Sequence, residues 1–387
     1  MSEKQIGEVE ETKTVLDEGG VVPEAVADTL VPMDDVAQST EPGVAGWLNL
    51  AGAVMINSIC YGMTNSFGVF QEYYSIHFLS TTSTTSISWI GSIQLCLCPL
   101  LGCISGPLFD SGHLKPLIAS GGLLYVFSLM MASISTQYYQ ILLSHGFGVG
   151  LAMGIIFSPS VSTLSHHFGH SRWKSLAYGC TAAGSSLGGI IYPVSLRYLL
   201  PALGFAWGMR IMAFIVLLVA TSSFFCLSTV HPPRRKVAIL SPTVFRNAEY
   251  TVFVLGVAFC SLAIYGPLTF GVTFASSKGL SSSLAFYSLA ISNGCSIFGR
   301  IMPLLIAQRI GPLNVAIAAG LFSSIMLFSW TRANSASEIL AFDALYGVPS
   351  GAYAAAVNPS AASFAPMPDQ IGYESLITYL GQSLYPS

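Results

Sequence analysis

Apolar residues run through this chain in long unbroken blocks, separated by short polar clusters. A helix needs about 20 mostly apolar residues to cross a bilayer. Read with that length, the pattern predicts ten spanning helices, over roughly 46–71, 87–108, 115–134, 138–163, 175–198, 207–230, 250–275, 283–306, 312–331 and 338–362. The breaks carry turn formers or charge: "DSGHLKP", "HHFGHSRWK", "HPPRRK", "SSKGLSS", "QRIGP" and "TRANSAS". The blocks do not alternate apolar with polar residues, which excludes a membrane β-barrel. Gly-rich interiors such as "GFGVGLAMG" and "AAGSSLGG" suit membrane helices, where small residues let backbones approach closely. The expected class is an all-α membrane protein.

Composition sharpens this. Charged residues make up 9% of the chain and hydrophobic ones 52%, with a mean hydropathy of +0.65. A soluble domain is about a quarter charged, so an ordinary soluble protein is excluded. The few acids are unevenly placed: eleven of 18 Asp and Glu lie before residue 42. Residues 1–45 therefore read as a disordered acidic tail, without the basic start and apolar core of a signal peptide. All eight cysteines sit in apolar runs, and Cys96 and Cys98 are spaced by one residue, so they read as packing residues and not as a metal site.

Orientation follows from the basic residues. With the N-terminus inside, the inner loops and flanks hold Lys115, Arg172, Lys174, Arg234, Arg235, Lys236, Arg246, Arg300 and Arg309, and the outer side only Arg197, Arg210, Lys278 and Arg332. Nine against four predicts a cytoplasmic N-terminus. A basic linker with two prolines, over 231–249, divides a six-helix half (46–230) from a second block (250–362), followed by a cytoplasmic tail (363–387). Two helical halves are a common transporter plan, with a site at their interface. A faint repeat supports it: Asp110 and Gly112 of "GPLFDSGHLKP" correspond to Gln308 and Gly311 of "PLLIAQRIGP".

Several stretches together resemble the major facilitator superfamily, and within it the monocarboxylate porter-like branch of fungi. They are "YGMTNSFGVFQEYY", "GPLFDSGHLKP", "RWKSLAYGCTAAGSSLGGIIYPV", "SNGCSIFGRIMPLLIAQRIGPLNV" and "LYGVPSGAY". The resemblance runs from about residue 45 to 372 and implies a two-half bundle of twelve helices that works by alternating access. Only ten are counted here. The tail "YESLITYLGQSLYPS" carries a helical apolar stripe but is too short to span, so the last two helices are expected to be lacking.

A few residues stand out as candidate chemistry. Arg300 lies inside an apolar run, where a charge is expensive and functional by default. The resemblance places Arg300 on the branch's substrate-carboxylate Arg. It puts Ser296 where animal members have an Asp, and Asn65 where they have a Lys. Asn293, Ser296 and Arg300 share a helix face, and the planar Arg fork suits a carboxylate. The alternative for Arg300 is a structural or gating role at the inner interface. Asp343, the other charge deep in a run, is a candidate proton-coupling acid or the counter-ion of Arg300; the alternative is a hydrated outer position. "GPLFDSGHLKP" resembles the superfamily's signature loop, with Gly106 and Gly112 for the turn, Asp110 as a gating latch and Lys115 as its remaining basic end. Among aromatics that could form a cavity wall, Tyr61 and Tyr265 are the substrate-site candidates, with Phe67, Phe70, Tyr73, Phe270 and Tyr287 beside them.

"HHFGH" (His166, His167, His170) looks like one histidine box of a membrane di-iron enzyme. The other histidines are scattered, so the stretch reads as a solvated loop and no metal or cofactor is expected. The expected function is plasma-membrane transport, in the direction of efflux, of a fungal secondary metabolite, a larger and weakly acidic compound. Its expected partners are that substrate, the lipid bilayer and protons, with no nucleic acid. The alternatives are uptake of a monocarboxylate or vitamin-like solute, a remnant that does not transport, and the di-iron enzyme.

Overall fold

The computed structural model describes residues 41–79, 82–169, 171–230 and 248–361. The acidic head up to residue 40, the linker 231–247 and the tail from 362 lie outside the described residues. Ten helices are present among the described residues, and seven of the helical stretches, with Lys174–Cys226 counted once, are long and apolar enough to cross a membrane. The ten are α1 (Gly43–Phe78), α2 (Thr84–Asp110), α3 (Leu114–Ile134), α4 (Tyr138–Phe168), α5 and α6 within Lys174–Cys226, α7 (Ala248–Ser277), α8 (Ser282–Ile310), α9 (Pro312–Trp330) and α10 (Ala336–Ala361).

The 53-residue stretch Lys174–Cys226 is long enough to cross twice, and it turns at Gly204 alone (φ 76°, ψ 171°). A positive φ is open to glycine at little steric penalty, so α5 (174–203) and α6 (205–226) need no loop between them. Elsewhere the turns use ordinary punctuation. Ser83 caps α2 by accepting the Ser86 N–H at 3.2 Å, and Ser281 caps α8 by accepting that of Leu284 at 3.3 Å. Gly112 (φ 89°) closes the α2–α3 turn, and Gly311 (φ 86°) with Pro312 opens α9.

Several buried serines are satisfied within their own helices. Ser92 donates to the Ser88 carbonyl at 3.1 Å and Ser350 to that of Tyr346 at 2.8 Å, so these polar groups need no water in an apolar bundle.

Successive helices alternate in direction, giving the bundle two ends. The near face carries the start of α1, the α2–α3 and α4–α5 turns and Gly311. Contacts there join His167 to Ser228 (3.2 Å) and Gln308 to Arg172 (3.2 Å). The far face carries Gly204 and the α3–α4, α7–α8 and α9–α10 turns. There Tyr138 reaches Ser86 (2.9 Å) and Lys278 reaches Asn334 (2.6 Å). The first six helices share one large core around Ile56, Tyr125, Met153 and Met212. The last four pack around smaller clusters, one centred on Tyr353 and Val357 and one on Leu304 and Ala356.

Helix α1 is not regular. Two π-helical turns, Ser58–Gly62 and Tyr74–Phe78, interrupt it, and the ladder breaks again at Ser66. Such irregularities gather where a helix lines a site.

Candidate functional site

A cavity of about 520 Å³ lies between the two halves. Its walls come from α1, α2, α4, α5, α7, α8 and α10; α3, α6 and α9 contribute none of the described lining. Glu72, Thr84 and Ser276 line it at the far ends of their helices, and it reaches down to Ser185, Arg300 and Asn358. The cavity therefore opens toward the far face.

The near side is closed where α5 and α8 pack antiparallel. A Cβ on Gly179 would meet the Arg300 carbonyl at 3.0 Å and the Ile301 Cα at 3.2 Å. Tyr178 and Ala182 of α5 pack against the cluster that holds Leu304 and Ala307 of α8 with Ala355 and Ala356 of α10. The same register carries on into the cavity. The Ser186 hydroxyl donates to Ser296 Oγ at 3.3 Å. A Cβ on Gly189 would sit 2.8 Å from Asn293 Oδ1 and 3.1 Å from Asn65 Nδ2, so the missing side chain lets two carboxamides from α1 and α8 converge there.

Arg300 is the cation of this floor. Its Nε donates to Ser296 Oγ at 3.1 Å, one turn back on its own helix. One terminal nitrogen donates across the interface to the Ala182 carbonyl at 2.8 Å and also reaches Ser185 Oγ. Charge-assisted bonds of this kind are about twice as strong as neutral ones. Arg300 thus both lines the cavity and holds α8 to α5.

The rest of the wall is apolar and aromatic. Tyr61 packs edge-on against Phe157 with centroids 4.9 Å apart, and Phe67, Phe270, Phe286 and Tyr353 line the cavity beside them. A polar, cationic floor beneath an aromatic wall suits an organic compound with one acidic end.

The family model "Major Facilitator Superfamily" matches residues 43–386. The chain belongs to the major facilitator superfamily. It is 35% identical over 368 residues to an aspyridones efflux protein of Emericella nidulans, covering 94% of this chain and 74% of that one. It is 37% identical over 348 residues to an agnestins efflux protein of Paecilomyces divaricatus (88% and 78% covered). With an MFS transporter of Aspergillus flavus it shares 33% over 359 residues (91% and 80%). As a major facilitator, the chain is a multi-pass membrane protein, and its ten described helices form that fold's two halves.

Within this major facilitator bundle, the residues singled out in the sequence separate into two groups. Arg300, Ser296, Asn293, Asn65 and Tyr61 all line the cavity. Tyr265 stands in α7, with its side chain outside those described. Of the further aromatics, Phe70 is fully buried and packs on His145, and Tyr73 stacks on Phe205 at 5.6 Å, so both serve the core of the first half.

Asp343 is buried at 6% exposure, so the hydrated outer position does not hold. It faces Ser288 of α8 and is not among the described lining. The counter-ion role also fails, for a reason of register. α8 and α10 run parallel, with Gly347 against Ser292 and Gly351 against Ser296. Arg300 and Asp343 therefore lie a little over three turns apart along the bundle, roughly 18 Å at 1.5 Å per residue. What Arg300 meets instead is α5.

The signature loop sits at the near face. Asp110 ends α2, half-buried, and Gly106 faces Ser158 of α4 at contact distance (3.5 Å to an added Cβ). Lys115 does not extend the latch toward the second half. Its ammonium donates to the Phe224 carbonyl and lies 4.6 Å from that ring, tying α3 to the end of α6. In the histidine stretch, His166 packs on Phe109 at 5.3 Å and His167 bonds to Ser228, so the two rings serve different partners; His170 lies outside the described residues. Ser185, Ala182, Phe157 and Tyr353 were missed in the sequence, where a serine, an alanine and aromatics in apolar runs carry no signal of the interface they join.

Proposed function

We propose that this chain exports a small, weakly acidic organic compound, a secondary metabolite, by alternating access between its two halves. The observation that carries the reading is the floor of the cavity: Arg300, Asn65, Asn293 and Ser296 converge beneath an aromatic wall. An acidic end group pairs with the guanidinium, and an apolar body packs against Tyr61, Phe157 and Tyr353. The relatives named as efflux proteins for aspyridones and agnestins support export of such compounds.

The finer assignments belong to the same proposal. The chain sits in the monocarboxylate porter-like branch and acts in the plasma membrane. Its near face is cytoplasmic, in keeping with the basic residues gathered there. Asp110 latches that face, and Asp343 is the proton-coupling acid, a role supported by its burial within the second half.

The test is export from proteoliposomes containing the full chain and loaded with 2-naphthoate, an aryl acid, or with its neutral amide. Release of the acid well above that of empty liposomes, with the amide released poorly, is the expected result. Equal release of both, or none of either, overturns the reading.

A further inference from the structure

The acceptors that hold Arg300 are on the opposite half of the bundle. Two of its three hydrogen bonds given above, to the Ala182 carbonyl and to Ser185 Oγ, cross from α8 to α5. The third, to Ser296, stays within α8. The α5–α8 seam is also what closes the near side, through Gly179 against Arg300 and Gln308 against Arg172. When the near side opens, α5 and α8 must part there. Arg300 then loses the Ala182 and Ser185 acceptors and keeps Ser296, which moves with it. When the near side closes, α5 brings those acceptors back.

We infer that α5 and the anionic end of the substrate compete for the same guanidinium, so that Ser185 and the Ala182 carbonyl act as release residues for an acidic substrate. The inference rests on the proposed reading of the cavity as the path of such a compound. In the near-open state the two α5 acceptors are withdrawn from Arg300, and a carboxylate takes their place. In the far-open state described here α5 supplies them, and the carboxylate must displace a carbonyl and a hydroxyl that are already in place. Affinity for the anion is therefore higher when the cavity faces the near side. A ligand shifts an equilibrium by its differential affinity for the two states, so the anion favours the near-open form, and closing the seam weakens its hold. A solute is then taken up tightly from the near face and let go at the far face. That is the order export requires, and the charge of Arg300 is never left without partners on either side.

The geometry restricts which residues can act this way. Ala182 contributes its backbone, which no substitution removes. Ser185 contributes a side chain, so Ser185→Ala deletes one release contact while sparing the small-residue packing of the helix. Arg300→Gln removes the contested cation.

The experiment reads the seam itself. Spin labels are carried by a non-natural amino acid at Lys174 and Arg309, both exposed at the near ends of α5 and α8, which leaves all eight native cysteines in place. The full chain is placed in lipid nanodiscs and the distance distribution is recorded by pulsed electron paramagnetic resonance. Two probes are titrated, 2-naphthoate and 2-naphthamide, which share a body and differ in charge. In the wild type, naphthoate shifts the population to the longer, near-open distance at a concentration roughly ten-fold below that of naphthamide, the scale of one charge-assisted hydrogen bond. In Ser185→Ala the near-open population is raised without ligand, and naphthoate acts at lower concentration still. In Arg300→Gln the difference between the two probes disappears.

Naphthoate and naphthamide acting alike on the wild type, including neither acting, overturns the inference, and that comparison needs no variant to fold. An unchanged distribution in Ser185→Ala, with unchanged naphthoate sensitivity, also overturns it. Failure of the underlying functional reading is seen separately, as absent naphthoate export from proteoliposomes, because the distance measurement requires binding and not transport.

Discussion

Gly62 of α1 and Gly188 of α5 face each other so closely that a Cβ on Gly62 would lie 2.5 Å from the Gly188 Cα. The reverse contact is as tight, since a Cβ on Gly188 would fall 2.4 Å from the Ser58 carbonyl oxygen. Both obstacles are backbone, which cannot swing aside. This pair sets the distance between the π-turn of α1 and the helix that carries Ser185, so it positions one wall of the cavity. Gly188→Ala is expected to destabilise the bundle by about 1–3 kcal/mol, the usual range for overpacking. Thermal unfolding of the detergent-purified protein reads this as a lowered midpoint. Gly68, which has nothing within 4 Å of an added Cβ, is the matched control and should tolerate alanine.

The end of α2 offers a second test. If Asp110 latches the near face, Asp110→Asn should slow turnover several-fold while the apparent affinity for substrate stays within a few-fold. Steady-state transport over a range of substrate concentrations separates the two. Lys115 should behave differently, because its ammonium is committed to the Phe224 carbonyl and ring within the first half. Lys115→Gln should lower thermal stability modestly and leave the ratio of turnover to affinity unchanged. A large affinity loss in Asp110→Asn with normal turnover would contradict the latch.

Much of the architecture is legible in hydropathy. A span is a local property of about 20 residues, so the places of all ten helices were readable from the apolar blocks. The turn between α5 and α6 was harder: a gap of several residues is expected at 199–206, yet the chain reverses on Gly204 alone, because a single positive-φ glycine replaces a loop. The site was half legible. Arg300 announces itself, since a charge in an apolar run needs a reason. Its partners do not, because the antiparallel register of α5 on α8 is tertiary, and Ser185 looks like any other small residue of a membrane helix. Lys115 and Asp343 show the same limit. Sequence gives their charge and depth, while packing decides that one binds α6 and that the other sits a little over three turns from Arg300.

Asp343 gives the proton prediction. It is a buried carboxyl of the second half, on α10 and facing Ser288 of α8. If it carries the coupled proton, Asp343→Asn should abolish the stimulation of export by an imposed pH gradient. Exchange of substrate at equal pH on both sides should persist, because exchange requires no net proton movement. Proteoliposomes measured with and without a gradient make the comparison. Stimulation that survives in Asp343→Asn would place the coupling group elsewhere.

Arg300 allows the charge on the substrate to be tested directly. The guanidinium presents a planar fork, and it already uses more than one nitrogen to reach Ser296, Ala182 and Ser185 at once. A lysine keeps the charge but offers a single compact ammonium on a different stem, so it cannot reproduce that set of donors. Arg300→Lys should therefore weaken transport of an acidic substrate clearly. Arg300→Gln should weaken it further, by roughly 1.5–3 kcal/mol for one charged hydrogen bond lost, which is about ten- to a hundred-fold in kcat/KM. The neutral amide of the same substrate has no anion to lose, and its low rate should change little in either variant. Because Arg300 also joins α5 to α8, both variants need to be compared at equal amounts of folded, membrane-inserted protein. Parallel losses for acid and amide would assign Arg300 to the seam alone; a loss confined to the acid means that the side chain reads the charge of the substrate.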